Sequence, residues 1–296
     1  MILECSVTDK GSEFNIQQIS IPLIFFDFYK QTDARDKKNL SDLLLGHNVF
    51  TSLLFYQGNF IFKLAHLERL SSSYQFLFQG DQVELKKFLI RYFNHLQSEL
   101  NVKNVSHAHV RISLYEAFMH VWVKEAESSI AMDALSLQTK IAPAHYLEKP
   151  SYLKFPNYHL GMKYEAELHE NNKLLFINTN GIILEGLFSN IIFVDFADRV
   201  IIPTGNESVL NGIMRDRLLH FLNESKALDY KLCDVTMSDL HNYREAYFIN
   251  CLRGFQNIKS IDHFQFSVDN KNDQKSKFLK VIKEQFGFWG EVVSRS

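Results

Sequence analysis

The sequence predicts an α+β fold in two parts. Three observations carry this. Short apolar runs recur with turn residues between them, amphipathic helical stretches stand among them in both halves, and one proline-bearing stretch near the middle breaks all periodicity. At 296 residues the chain suits two domains better than one.

In the first half, Phe50 to Phe55 and Asn59 to Leu64 are apolar runs around Gln57-Gly58, the pattern of a hairpin. Residues 66–77 read as a helix. In 81–100, Val83, Leu85, Phe88, Leu89, Tyr92, Phe93 and Leu96 recur at helical spacing. His107 to Leu114 and Phe118 to Val123 read as a second strand pair, with His107, His109 and Arg111 on one face by alternation. Residues 141–150 carry Pro143 and Pro150 and form the expected linker. That leaves 1–140 as a smaller N-terminal α+β domain and 151–296 as a larger C-terminal domain, each a mixed sheet with helices. The second half reads as helix 158–169, strand 174–178, a turn at Asn180-Gly181, a strand pair at 182–184 and 190–195, helix 212–222, strand 245–250 and a last helix over 273–286.

Composition excludes several classes. Lys and Arg number 32 against 34 Asp and Glu, and no basic block stands out, so nucleic acid is not an expected partner. No apolar run approaches the length that spans a bilayer, and the N-terminus Met1-Ile2-Leu3-Glu4 lacks the layout of a secretion signal. The cysteines Cys5, Cys233 and Cys251 are odd in number and widely spaced, which suggests neither a disulfide framework nor a metal site. A cytoplasmic protein without metal is expected. The 26 Phe residues point to aromatic-rich cores rather than to a site.

The strongest chemical signal is Gly181-Ile-Ile-Leu-Glu185-Gly186-Leu-Phe-Ser189-Asn190-Ile-Ile-Phe193. A single Glu among apolar strand residues is costly unless paired. Glu185 is therefore either a strand-end carboxylate held by a backbone amide or an Arg, or a functional carboxylate. Upstream, Lys154 and Asn157 precede a helix that carries Glu165-Ala166; alone, such a lysine reads as a solvated charge. Downstream, Asn211-Gly212-Ile213-Met214-Arg215 opens a helix, either as cap and turn or as an anion site made of backbone N–H groups. His66-Leu-Glu-Arg69-Leu70 lies on a helix, and Asn250-Cys251-Leu252 ends a strand.

Taken together, these stretches from Phe62 to Ile258 resemble fold-type-IV pyridoxal-phosphate enzymes, the class IV aminotransferase family with a D-amino-acid-aminotransferase-like fold. The resemblance implies roles. Lys154 would carry the cofactor and act as general base. Glu185 would pair with the protonated pyridine nitrogen and keep the ring an electron acceptor. Arg69 and the helix start at Gly212, Ile213 and Met214 would hold the phosphate. Ser189, Asn190 and Asn250 would also lie at the cofactor. Tyr158 would meet the ring oxygen, as a Tyr does in branched-chain aminotransferases, or pack at the helix start.

Within that family, three places are similar to aminodeoxychorismate lyases: Phe50-Thr51-Ser52 where aminotransferases carry Phe-Glu, Gly212-Ile-Met-Arg215 where they carry Thr, and Asn250-Cys-Leu252. The implied reaction splits 4-amino-4-deoxychorismate into 4-aminobenzoate and pyruvate for folate synthesis, with Lys154 and Thr51 as catalytic residues. The family's Gly-rich loop after an Arg-Gly pair is absent from Arg111 to Phe118, so the residues that bind substrate carboxylates stay open, with His107, His109 and Arg111 as candidates. A small anionic amino substrate and a homodimer are the expected partners. The alternatives are a class IV aminotransferase acting on D- or branched-chain amino acids with 2-oxoglutarate, and a non-enzymatic relative; intact Lys154, Glu185 and Arg69 count against the latter.

Overall fold

The computed structural model describes residues 4–5, 16–22, 47–116, 118–125, 134–143, 153–154, 159–168, 172–205, 208–266 and 277–286. The chain divides into two compact units: Met1–Ser128 with Tyr152–Asn157, and Ser129–Ser151 with Tyr158–Ser296. The division falls earlier than the 141–150 stretch, and the segment bearing Lys154 counts with the first unit.

The first unit is a six-stranded sheet in the order β1 (Glu4–Cys5), β2 (Ile16–Pro22), β6 (Phe118–Glu125), β5 (His107–Leu114), β3 (Val49–Tyr56) and β4 (Asn59–Phe60), antiparallel throughout. Gln57 and Gly58 both take positive φ, 45° and 84°, the turn whose twist suits a two-residue hairpin. The second hairpin strand is shorter than expected. Phe62 enters the left-handed region at φ 52°, and helix α1 (Lys63–Phe78) begins there. Helix α2 (Gln82–Val102) starts at Asp81, whose carboxylate accepts from Val83 N at 2.8 Å and Glu84 N at 3.0 Å.

Strand alternation decides which sheet face those helices cover. On β5, Ala108, Val110 and Ile112 are fully buried, whereas His107, His109 and Arg111 are half-buried. The buried set joins Leu53 and Phe55 of β3, Leu67 and Leu70 of α1, and Leu89 and Phe93 of α2 in one core. The expected common face of His107, His109 and Arg111 is therefore the one turned from that core.

The second unit is a nine-stranded mixed sheet. Its order is β12 (Tyr230–Cys233), β11 (Val200–Pro203), β10 (Asn190–Asp195), β13 (Tyr243–Asn250), β14 (Gly254–Ile261), β7 (Leu135–Ile141), β8 (Asn172–Ile177) and β9 (Ile183–Gly186), with β15 (Phe264–Gln265) on β14. Strand β7 is parallel to both β14 and β8, and β12 is parallel to β11. Two expectations change here. The linker's first residue, Ile141, ends a central strand, and residues 144–150 lie outside the described residues. The strands expected over 182–184 and 190–195 form but do not pair with each other; β9 pairs with β8, and β10 sits between β11 and β13. Gly186 N donates to Ser189 O at 2.8 Å, so the chain passes from β9 to β10 in one tight turn. A turn that short obliges the sheet to curl, because β9 ends the strand order and β10 lies near its other end.

Ile191, Phe193, Ala246, Phe248 and Ile258 fill the core on one side of this sheet. Helices α3 (His159–Ala166), α4 (Ile213–Ser225) and α5 (Lys277–Gln285) belong to the same unit. Phe278 of α5 lies 5.1 Å from the Tyr247 ring, and Phe221 lies 5.7 Å from Phe286, so the phenylalanine richness serves packing. Among the described residues, no helix is long and apolar enough to cross a membrane.

Candidate active site

The candidate residues fall into two clusters, one in each unit. In the second unit the signature folds locally around Glu185, which is 3% exposed. Its Oε1 accepts from Leu210 N at 3.2 Å and its Oε2 from Asn190 Nδ2 at 3.1 Å. The backbone-amide alternative read from the sequence is thus realised. It does not exhaust the carboxylate, which offers about four acceptor positions. These bonds fix the direction of a buried charge, and such order is what a charge partner for a ligand requires.

Each neighbour in the signature has a physical reason. A Cβ on Gly186 would lie 2.6 Å from the Phe248 ring, so glycine lets β9 meet β13 closely. A Cβ on Gly212 would lie 2.1 Å from Asn190 Oδ1, so glycine lets the start of α4 close on that amide. Asn190 Nδ2 also donates to Leu210 O at 2.8 Å, tying β10 to the segment before α4. Ser189 Oγ accepts from Asn250 Nδ2 at 2.7 Å, and Asn250 Oδ1 accepts from Leu252 N at 3.0 Å and Arg253 N at 2.8 Å. Asn250 therefore caps its strand end and steadies Ser189 together.

Helix α4 opens on Gly212 without a side-chain cap. Ile213 and Met214 are buried, so what they can offer an anion is backbone N–H, which the first turn leaves without an intrahelical acceptor. Arg215 sits in the same turn with Nη1 donating to Asn211 Oδ1 at 3.3 Å. Burial pushes its guanidinium down from the ordinary value, while Glu185 and Asp216 act in the opposite direction.

The first unit supplies the cationic cluster. Lys154 O accepts from Phe50 N at 3.2 Å, and Lys154 Nζ lies 5.1 Å from the centre of the Phe50 ring. The Arg111 guanidinium stacks over that same ring at 3.9 Å. On the core side of β3, Thr51 is fully buried. Its Oγ1 accepts from Arg69 Nη2 at 3.1 Å and stands 2.6 Å from His66 Nδ1. Burial first, then Arg69 and Lys154, hold the His66 imidazole well below its ordinary range, so the ring is neutral. Arg69, His66, Thr51, Lys154, Phe50 and Arg111 are thus gathered in one unit. Ser189, Asn190, Glu185, Gly212, Ile213, Met214 and Asn250 are gathered in the other. Tyr158 and Asn157 lie outside the described residues.

Sequence reasoning missed Leu210, which acts through its backbone N–H, a group that side-chain pattern cannot show. Arg111 is a candidate already in the sequence, but its shared ring with Lys154 depends on the β3–β5 register, Ser52 opposite Arg111.

The model of the amino-transferase class IV family matches residues 48–261, and the chain belongs to that family. The family is pyridoxal-phosphate-dependent, and its members are lyases and aminotransferases. Among solved structures, a hypothetical aminotransferase from Mycobacterium tuberculosis in its pyridoxal-phosphate-bound form is similar at 16% identity and TM-score 0.71, over 94% of this chain and 99% of that one. The 4-amino-4-deoxychorismate lyase from Pseudomonas aeruginosa is similar at 19% identity and TM-score 0.61, over 82% and 92%. The branched-chain amino acid aminotransferase from Escherichia coli is similar at 16% identity and TM-score 0.66, over 86% and 89%. These likenesses show a fold-type-IV architecture. A search of curated protein sequences finds no match.

The residues present fit pyridoxal phosphate. His66 Nε2 is buried and meets no acceptor among the described residues, and the charged groups acting on its ring are both cations, Arg69 and Lys154. A donor set without a carboxylate suits a phosphate. Lys154 offers an amine in the same unit, and in the second unit the oriented Glu185 offers a buried carboxylate.

Proposed function

We propose that this chain is a lyase that splits 4-amino-4-deoxychorismate into 4-aminobenzoate and pyruvate, in the cytoplasm and as a homodimer, for folate synthesis. The observation that carries the reading is the Phe50 ring, which bears the Lys154 amine and the Arg111 guanidinium together. A cation beside the amine, with no acid on β3, suits an amino substrate that carries carboxylates. An aminotransferase of this family would carry Glu at the position of Thr51; here the strand reads Phe50-Thr51-Ser52. Met214 and Asn250 support the same choice through the resemblance.

When bound, pyridoxal phosphate supplies an aldehyde for an amine and a ring that draws electrons from the carbon bearing it. Lys154 Nζ would hold the cofactor and, when free, would take the proton from the amine-bearing carbon of the substrate. The C–O bond to the enolpyruvyl group then breaks, the electron pair leaves with that oxygen, and the carbocycle becomes aromatic. Lys154 Nζ is the proton carrier from carbon to the leaving group, so atoms and charge balance without a further reactant. Glu185, held by Leu210 N and Asn190, would keep a ring nitrogen protonated. Arg69 would hold the phosphate, and Arg111 would orient a substrate carboxylate.

The test is 4-aminobenzoate release from 4-amino-4-deoxychorismate by the cofactor-loaded chain. Release that disappears in Lys154→Ala supports the lyase. No release, with amino transfer from D- or branched-chain amino acids to 2-oxoglutarate, would replace it with the aminotransferase reading, which the similarity of fold to the Escherichia coli enzyme also supports. Light scattering of the same sample reads the dimer.

A further inference from the structure

The hydroxyl of Thr51 stands between Arg69 and His66, and its hydrogen-bond geometry admits a single economical solution. Arg69 Nη2 can only donate, so Thr51 Oγ1 accepts from it at 3.1 Å. The remaining question is the 2.6 Å contact between Oγ1 and His66 Nδ1. If Nδ1 carried the proton, the buried Thr51 hydroxyl hydrogen and the buried Nε2 lone pair would both stay without a protein partner. If the Thr51 hydroxyl donates to Nδ1, only Nε2–H stays so. The second arrangement leaves fewer buried polar groups unsatisfied and is therefore favoured. The chain of donation is then Arg69 to Thr51 to His66.

Thr51 is 0% exposed on β3 and His66 is 1% exposed on α1. Arg69 has the longest side chain of the three, and a chain of that length loses rotamer freedom when fixed. His66 and Arg69 lie on the same helix, three residues apart and on neighbouring surface positions. A strand hydroxyl bridging the two ties the guanidinium plane to the sheet.

We infer that Thr51 and His66 are positioning residues for Arg69: the Thr51 hydroxyl, aimed by His66 Nδ1, fixes the Arg69 fork for the cofactor phosphate. This rests on the reading of Arg69 as the phosphate ligand, and it gives Thr51 a supporting place in cofactor binding rather than in the chemical step. A preset fork gives up less freedom on binding, so the pair raises affinity for the phosphate and leaves affinity for the rest of the cofactor unchanged.

The experiment compares pyridoxal phosphate with pyridoxal, which lacks the phosphate. Both are titrated into the full chain stripped of cofactor, and the ratio of the two dissociation constants reads the phosphate grip. Thr51→Val, of the same shape without the hydroxyl, should lower the ratio about ten-fold, the scale of one charge-assisted hydrogen bond. Thr51→Ser should restore it to within about two-fold, and His66→Leu should lower it about three-fold, because the hydroxyl loses its aim but keeps Arg69. Arg69→Gln separates the two ideas. If it leaves the ratio unchanged, the phosphate reading of Arg69 fails. If it collapses the ratio while Thr51→Val and His66→Leu keep the wild-type value, or weaken both ligands alike, the positioning role is overturned and the phosphate reading stands. Should Thr51→Val not fold, the His66→Leu ratio decides in the same way.

Discussion

Asn190 and Gly212 occupy one space: a Cβ on residue 212 would lie 2.1 Å from Asn190 Oδ1. The contact matters because the same amide donates to Glu185 Oε2 and to Leu210 O. Gly212→Ala must push Asn190 away or displace the start of α4. The expected result is a loss of about 1–3 kcal/mol in stability together with weakened cofactor retention. Thermal melts and cofactor titration of the one variant check it; a wild-type melt and wild-type affinity would show that the close approach carries no weight.

Lys154→Ala removes the amine that would hold the cofactor. Its side chain is only half-buried over Phe50, so the fold should persist. Absorbance of purified, cofactor-incubated protein should lose the band of the lysine-bound cofactor, and turnover should drop about 1000-fold or more. A retained band would move the assignment to another lysine.

Glu185→Gln keeps the shape but replaces one acceptor oxygen by a donor that faces Asn190 Nδ2. The carboxylate's charge, which on the proposed reading would keep a ring nitrogen protonated, is also gone. Cofactor should still bind, with turnover reduced by about 100-fold. Steady-state kinetics alongside the absorbance spectrum distinguishes this from simple loss of cofactor, and unchanged turnover would remove Glu185 from that role.

Histidine protonation gives the fold a direction of pH dependence. Burial, Arg69 and Lys154 lower the His66 pKa, burial lowers that of His107, and burial with Arg111 lowers that of His120. All three depart downward from the ordinary value of 6.5, so below it the unfolded chain binds more protons than the folded one. Stability is therefore full above that value and falls as pH drops through it. The fully buried His66 contributes a slope of up to about 1.4 kcal/mol per pH unit. Urea midpoints of cofactor-free protein between pH 7.5 and 5 should fall, and His66→Gln should flatten the curve. A curve of equal slope in the variant would exclude His66 as its source.

Much of this was legible in the residues, and the failures have physical causes. Glu185, Gly186, Asn190 and Gly212 stand out because a buried charge and close backbone approaches tolerate few alternatives, so they leave a dense local pattern. Alternation alone puts His107, His109 and Arg111 on one face of β5. The same rule separates Thr51 from Ser52, which a motif reading treats as one unit although neighbouring strand residues point to opposite faces. Pairing between distant strands was hidden. Strand β10 lies against β13, some fifty residues on, and only the curl of the sheet dictates that partner. Strand β7 does alternate, with Leu135, Leu137 and Ile141 against Ser136, Gln138 and Lys140, and only Thr139 interrupts its apolar set just before the prolines.

The division of the chain has a consequence for anyone who would take it apart. Residues 152–157 belong to the first unit although stretches of the second precede and follow them. A polypeptide severed at the 128/129 boundary would leave the lysine on the fragment that does not own its fold. Fragment complementation at that point would have to restore the segment 152–157 to the first unit as well as bring back the two halves.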